Sequence, residues 1–336
     1  MSKRSRNVAG PNGLLLVDKP AGISSAAVVA RVRRVFDGVK AGHTGTLDPF
    51  ATGLLPLGLG EGTKLAAYLT DADKTYEGVI RLGLRTDTFD RTGMVIGTDP
   101  VPPIDDALLS GLAQQLREAK LQTPPAFSAI KLGGRPMYEL ARRGEAPVLE
   151  PRPVRVDRCE LRRESANRVS VVIDCSKGFY VRSLARDLGE MLGCGAILES
   201  LRRTRVAHLR IEEAVPLAEL EQAGGSVRGA GAVISMSDAL PHMRAVEVGR
   251  AGAEELRLGR QGPLLRIAPG QDGEKLRILA GSELVAVAAS QGPLWILERV
   301  FARAPEGGAP CPHETSMLPP AVSQTEEEEK ERSESS

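Results

Sequence analysis

Along the first two thirds of the chain, apolar positions switch between the period of a strand and that of a helix. Gly13–Val17 is a continuous apolar run closed by Asp18-Lys19-Pro20 and predicts a buried strand. From Ser25 to Phe36 apolar residues recur at helical spacing, with Ser24 or Ser25 as the natural N-cap. Thr75–Leu84 alternates like a strand, and Asp105–Glu118 reads as an amphipathic helix after the proline-rich break at 100–103. Arg155–Arg163 and Val169–Cys175 predict strands and Val181–Leu192 a helix; Ala196–Leu201 and Arg205–Leu209 lead to a further short strand. Three short apolar runs, Leu276–Ala280, Leu284–Ala289 and Leu294–Val300, are separated by turn residues. They predict a small β-rich unit over 241–303.

Three stretches break this pattern. Residues 1–12 are a polar leader and 304–336 a Glu- and Ser-rich tail, both expected to be disordered. Residues 122–153 hold six prolines interleaved with Lys131, Arg135, Arg142, Arg143 and Arg152. A loop of that length inside a compact domain is uncommon and is usually functional or disordered. The domain division expected is therefore a 13–240 body carrying the 122–153 loop, followed by the 241–303 unit.

Composition changes this picture in two places. The net charge of +1 is an average: the tail from Ala304 carries eight Glu against one Lys and one Arg, so residues 1–303 carry +7. A moderately basic body permits a nucleic-acid partner without demanding one. Four cysteines without a C-x-x-C pair suggest reduced thiols, a cytoplasmic setting and no structural zinc. No apolar run reaches the ~20 residues of a membrane-spanning helix, so no membrane association is expected.

Candidate chemistry concentrates in Gly42-His43-Thr44-Gly45-Thr46-Leu47-Asp48-Pro49-Phe50-Ala51-Thr52-Gly53. Three glycines and a proline forbid a stable helix, so a preset loop presenting one carboxylate is expected. Asp48 before Pro49 also suits a helix N-cap, and from the residues alone cap and catalyst weigh equally. Gly58-Leu59-Gly60-Glu61-Gly62-Thr63-Lys64 is not a phosphate loop, because its order matches neither G-x-x-x-x-G-K-[ST] nor G-x-G-x-x-G.

The Asp48 loop closely resembles the aspartate motif of TruB-type tRNA pseudouridine synthases. Further segments from about Gly13 to Val206 are similar to the same family: Lys19-Pro20-Ala21-Gly22-Ile23-Ser24-Ser25, Lys74-Thr75-Tyr76-Glu77, Arg85–Gly93, Gln122–Lys131 with Gly134–Arg142, and Cys175–Asp187. In the first of these, Ser24 stands where the family usually has Thr. The resemblance implies an α+β pseudouridine synthase fold. It would have a central mixed, largely antiparallel sheet flanked by helices and loops, and a small PUA-like RNA-binding module at the C-terminus. It implies an isomerase that turns one uridine of the tRNA T-stem-loop (position 55) into pseudouridine by base flipping, without cofactor or metal, as a monomer.

The same resemblance makes Asp48 the nucleophile, Arg182 its ion-pair partner, and Tyr76 the base-stacking residue and a candidate for proton removal. It places Tyr180 and Leu201 on the base pocket and His43 in the space the base vacates. Lys19, Lys131, Arg135, Arg142 and Arg202 are implied to bind RNA, with 122–153 closing over the stem-loop like a thumb. Arg203, Arg205 and Arg210 extend the cluster beside Leu201, where a phosphate contact and a solvated face weigh nearly equally. Read without the resemblance, Arg182 is a helix-surface cation and Tyr76 and Leu201 are core. Alternatives are a guide-RNA-dependent pseudouridine synthase, an RNA-binding or tRNA-folding module without catalysis, and a hydrolase using Asp87 or Asp90 as a second carboxylate.

Overall fold

A computed structural model describes residues 10–128, 131, 132, 135–137, 149–224 and 233–303. The leader expected at 1–12 falls largely outside this set; the acidic tail and Arg142 fall outside it entirely, as do residues 129, 130, 133, 134 and 138–148 of the thumb-like loop. The strands follow in chain order as β1 (Gly13–Lys19), β2 (Ala41–His43), β3 (Thr52–Leu59), β4 (Lys74–Leu82), β5 (Leu84–Thr86), β6 (Val95–Thr98), β7 (Leu121–Gln122), β8 (Lys131–Leu132), β9 (Arg135–Pro136), β10 (Arg152–Pro153), β11 (Val156–Arg163), β12 (Arg168–Cys175) and β13 (Ala196–Val206). Then come β14 (Leu209–Arg210), β15 (Val215–Pro216), β16 (Val233–Ile234), β17 (Arg244–Glu247), β18 (Lys275–Ala280), β19 (Glu283–Gln291) and β20 (Leu294–Val300). The helices are α1 (Ser25–Val35), α2 (Ala66–Leu69), α3 (Asp106–Glu118), α4 (Val181–Met191), α5 (Leu217–Ala223) and α6 (Arg250–Arg257).

The central sheet runs β11-β12-β4-β13-β3-β1-β15, antiparallel except at the β13–β3 and β1–β15 pairs. Ala196–Val206, expected as two short segments, is one strand, with register shifts at Leu198/Ser200 and Arg203/Arg205. Such bulges explain why its alternation was hard to read: each extra residue flips the facing side chains.

One sheet face packs Val17, Leu57, Ile80, Val171 and Leu198 against Val28 and Val32 of α1, Leu109 of α3 and Leu184 and Leu188 of α4. The other face buries Leu14, Leu16 and Leu54 with Leu284, Val287 and Phe301 of the C-terminal unit. That unit has its own sheet, β17-β18-β19-β20, and its own core around Leu256, Ile278, Val285 and Trp295. The observed architecture is the α+β arrangement the motifs imply. At the base of the 122–153 loop, Gln122 pairs with Arg152 and Leu121 with Pro153, so both loop ends are tied together.

Candidate active site

The Asp48 loop is not a helix. Residues 49 and 50 form a turn closed by Ala51 N donating to Asp48 O at 3.1 Å, and the chain enters β3 at Thr52. The N-cap reading of Asp48 is thereby corrected: the helical turns a cap would serve are absent. Side chains brought in from elsewhere hold the loop instead. Ser25 Oγ, buried at the start of α1, donates to Leu47 O at 3.0 Å and accepts from Leu47 N at 2.9 Å. Ser24 takes the N-cap, accepting from Ala27 N at 3.2 Å, so adjacent serines divide the two tasks. Thr70 Oγ1 donates to Thr44 O at 2.9 Å, and Gly22 N donates to Pro49 O at 2.8 Å.

Arg182 lies in the first turn of α4, and only 5% of it is exposed. Its Nε is 2.8 Å from Asp48 Oδ2, and its Nη2 donates to Asp48 Oδ1 at 3.3 Å. The other donors reach Thr88 O at 3.1 Å and Phe127 O at 2.9 Å, and Nη1 lies 3.5 Å from Asp90 Oδ2. A planar guanidinium held at so many points sets the carboxylate's orientation by its fork. The Asp48 side chain is about a third exposed, on the side left open by Arg182. Burial pushes its pKa up; Arg182 opposes that shift and Asp90 adds to it.

Asp90 is itself buried and accepts at Oδ1 from Thr88 Oγ1 (2.9 Å), Thr92 N (2.8 Å) and Thr92 Oγ1 (2.6 Å). So engaged, it braces Arg182 and is not placed as a second reacting carboxylate. Among the described residues no cluster of His, Cys, Asp and Glu forms a metal cage.

A model of the TruB family pseudouridylate synthase N-terminal domain matches residues 33–181, and one of the tRNA pseudouridylate synthase B C-terminal domain matches 182–230. The chain belongs to the TruB family. Curated relatives named tRNA pseudouridine synthase B agree. That of Aromatoleum aromaticum is 45% identical, over 74% of this chain and 80% of its own. The Geobacter sulfurreducens protein is 39% identical over 84% and 95%, and the Ralstonia nicotianae protein 41% over 86% and 94%. Among solved structures, a chain of a Cbf5-Nop10-Gar1 complex superposes with a TM-score of 0.66 at 24% identity, covering 86% of this chain and 85% of that one. An H/ACA RNP bound to a substrate RNA containing 2'-deoxyuridine gives 0.62 at 22%, covering 90% and 93%. At such identities the likeness is one of fold.

Against this TruB frame the other candidate residues sort by environment. Tyr76, on β4, is 9% exposed, and burial pushes its hydroxyl pKa up, with the Asp48 charge a lesser cause in the same direction. Tyr180 sits at the turn into α4, its backbone held both ways by Gln122: N to Oε1 at 2.8 Å and O from Nε2 at 3.1 Å. Gln122 escaped the sequence reading because an amide beside prolines carries no signal of its own. His43, on β2, is half-buried, and burial lowers its pKa, with Arg203 adding to the shift. Leu201 and Arg202 line a hollow of about 490 Å³ with Ala21, Phe50 and Thr52; Asp48 is not on its wall.

Two expectations are corrected. Lys19, implied to bind RNA, is completely buried; its Nζ donates to the carbonyls of Pro20 (2.9 Å), Ile23 (2.8 Å) and Pro49 (3.3 Å). It anchors the loop from below, and burial lowers its pKa to about 8. Arg203, read as part of a basic surface cluster, is 1% exposed. Arg202 remains half-exposed but is forked onto Asp18, at 3.1 and 2.7 Å. Lys131 and Arg135 fall on the β8–β9 hairpin, where Lys131 pairs with Pro136 and Leu132 with Arg135.

Proposed function

We propose that the chain isomerises uridine to pseudouridine in the T-stem-loop of tRNA, at position 55, with Asp48 as the nucleophile. The observation that carries this reading is a single carboxylate on a preset loop, gripped on one side by a buried guanidinium and open on the other. A carboxylate so held needs orientation more than activation, and Arg182 supplies both orientation and charge. The uracil must leave the loop's stacking to reach it, which is a base-flipping step. Asp48 adds to the flipped nucleotide, the N-glycosidic bond breaks, and the base turns and rejoins through C5, with the bond to Asp48 broken again so that its carboxylate is restored. The C5 proton then leaves, so substrate and product differ only in connectivity.

Tyr76, Tyr180 and Leu201 hold the base in this reading, and His43 fills the space behind it. Stacking on an aromatic ring contributes roughly 1–3 kcal/mol per base. The basic 122–153 loop, with Lys131, Arg135 and Arg142, closes over the stem-loop; proline lowers the ordering cost of such a loop. The C-terminal β unit serves as a second RNA contact of PUA type.

The test uses a T-stem-loop RNA tritiated at uridine C5. Wild type should release tritium stoichiometrically and Asp48→Asn none, while both bind the RNA. Full activity in the Asn variant overturns the assignment, and RNA binding by a wild type that releases no tritium favours a binding module instead.

A further inference from the structure

Arg203 is among the largest fully buried side chains of the protein, and its position in the sheet is unusual. On β13 it pairs with Gly53 of β3 on one side and with Tyr76 of β4 on the other. It therefore stands between the strand that leaves the Asp48 loop and the strand that carries the stacking tyrosine.

Its guanidinium reaches both ends of that loop. Nη2 donates to Gly45 O at 3.1 Å and Nη1 contacts Thr46 O at 3.4 Å, on the approach to Asp48. Nε donates to Leu54 O at 2.8 Å, on the exit. Tyr76 is its register partner on β4, and the Arg203 charge opposes the upward push of burial on the Tyr76 hydroxyl pKa. Gly45 and Thr46 lie outside any helix or strand, so one side chain meets carbonyls there that secondary structure would otherwise satisfy.

The glycines of the motif fit this account. At Gly53, with φ +103°, a Cβ would fall 2.3 Å from Arg203 O and 2.7 Å from Arg203 N, so the loop's exit is packed directly on the arginine's backbone. At Gly45 a Cβ would meet Arg203 Nη1 at 3.6 Å, so the loop also lies against the guanidinium itself.

A buried cation without a carboxylate partner is costly unless it does something for the fold or the site. No Asp or Glu is ion-paired with Arg203 among the described residues; its fixed donors are spent on backbone. Lys19 and Lys74, also buried, likewise donate to carbonyls, of Pro20, Ile23 and Pro49 and of Thr70 and Ala72.

We propose that Arg203 is a positioning residue of the isomerisation: by clamping both ends of the Asp48 loop from the strand that pairs with Tyr76, it sets nucleophile and base platform in one frame. The proposal rests on Asp48 as the nucleophile. It requires that Arg203 touch neither RNA nor the reacting atoms, and its burial meets that requirement. A misplacement of about 1 Å at a reacting group is enough for a ~100-fold loss of rate.

The test compares wild type, Arg203→Lys and Arg203→Gln in the tritium assay under single turnover. Thermal unfolding and RNA affinity are measured alongside, below the Tm of each variant. Arg203→Lys keeps the charge but loses the fork, so its kcat should fall about 100-fold with RNA affinity within about threefold, well under 1 kcal/mol. The acid limb of its pH profile should move up, because Asp48 no longer sits squarely on Arg182. Arg203→Gln keeps a forked amide and should fall no further.

A folded Arg203→Lys or Arg203→Gln enzyme with the wild-type rate and acid limb overturns the proposal. Failure of both variants to fold also overturns it, leaving Arg203 to the scaffold alone. An active Asp48→Asn enzyme, in contrast, removes the nucleophile reading on which the proposal stands.

Discussion

Replacing Arg182 by lysine separates the charge beside Asp48 from the geometry that delivers it. An ammonium at the same place would keep the single positive charge that lies between Asp48 and Asp90. What is lost is the fork: contacts at 2.8 and 3.3 Å to the two Asp48 oxygens, with Thr88 O and Phe127 O held at 3.1 and 2.9 Å by the same plane. Three donors on a flexible stem cannot serve all of these acceptors. One charge-assisted hydrogen bond to Asp48 is the minimum loss, and such bonds contribute about 1.5–3 kcal/mol. If it is felt in the transition state, kcat falls about 10- to 150-fold. Losing that bond also removes one of the influences opposing the upward shift of the Asp48 pKa. Because the nucleophile must be ionised, the acid limb of the rate profile should then move to higher pH. Single-turnover tritium release across a pH series measures both effects. A kcat within threefold of wild type with an unmoved acid limb would refute the argument that the fork, and not merely the charge, orients Asp48.

Two further outcomes follow from the loop's supports. Ser25→Ala removes the one side chain among the described residues that both donates to and accepts from Leu47, leaving that buried N–H and C=O without it. The expected cost is about 1–3 kcal/mol, seen as a Tm lowered by several degrees with kcat reduced and RNA affinity kept; unchanged Tm and kcat count against it. The buried lysines predict a pH dependence of stability. Lys19 and Lys74 are each lowered from 10.5 to about 8, chiefly by burial. Between those values the unfolded chain binds more protons than the folded one, so stability rises with pH across that window and the contribution is flat below it. Each lysine accounts for at most about 3 kcal/mol. Chemical denaturation at a series of pH values should show a shallower rise for Lys74→Met; identical slopes would exclude Lys74 as a source.

The pattern of apolar positions was enough to place β1, α1, α3, β11, β12, α4 and β18, β19 and β20 of the C-terminal unit, because their periods are local properties of the chain, while β17 was not anticipated. The glycines and proline around Asp48 likewise excluded a helix there before any neighbour was known. What local pattern could not supply was the destination of the charged residues. Lys19, Arg203 and Asp90 look like surface charges in the sequence, yet each is buried and meets a distant segment: Pro49 for Lys19, Arg182 for Asp90 and the Asp48 loop for Arg203. Arg203 meets Gly45, Thr46 and Leu54 across more than 140 positions, a pairing fixed by the parallel register of β13 on β3.

The contest between cap and catalyst at Asp48 was open for the same reason. A cap is a local hydrogen bond that any short stretch can offer, whereas the grip of Arg182 joins residues 134 positions apart. The sequence by itself determined that residues 42–53 form a rigid loop presenting one carboxylate. Only the tertiary structure decided what holds it, since a buried cation finds its acceptors through the packing of the sheet and not through its neighbours in the chain.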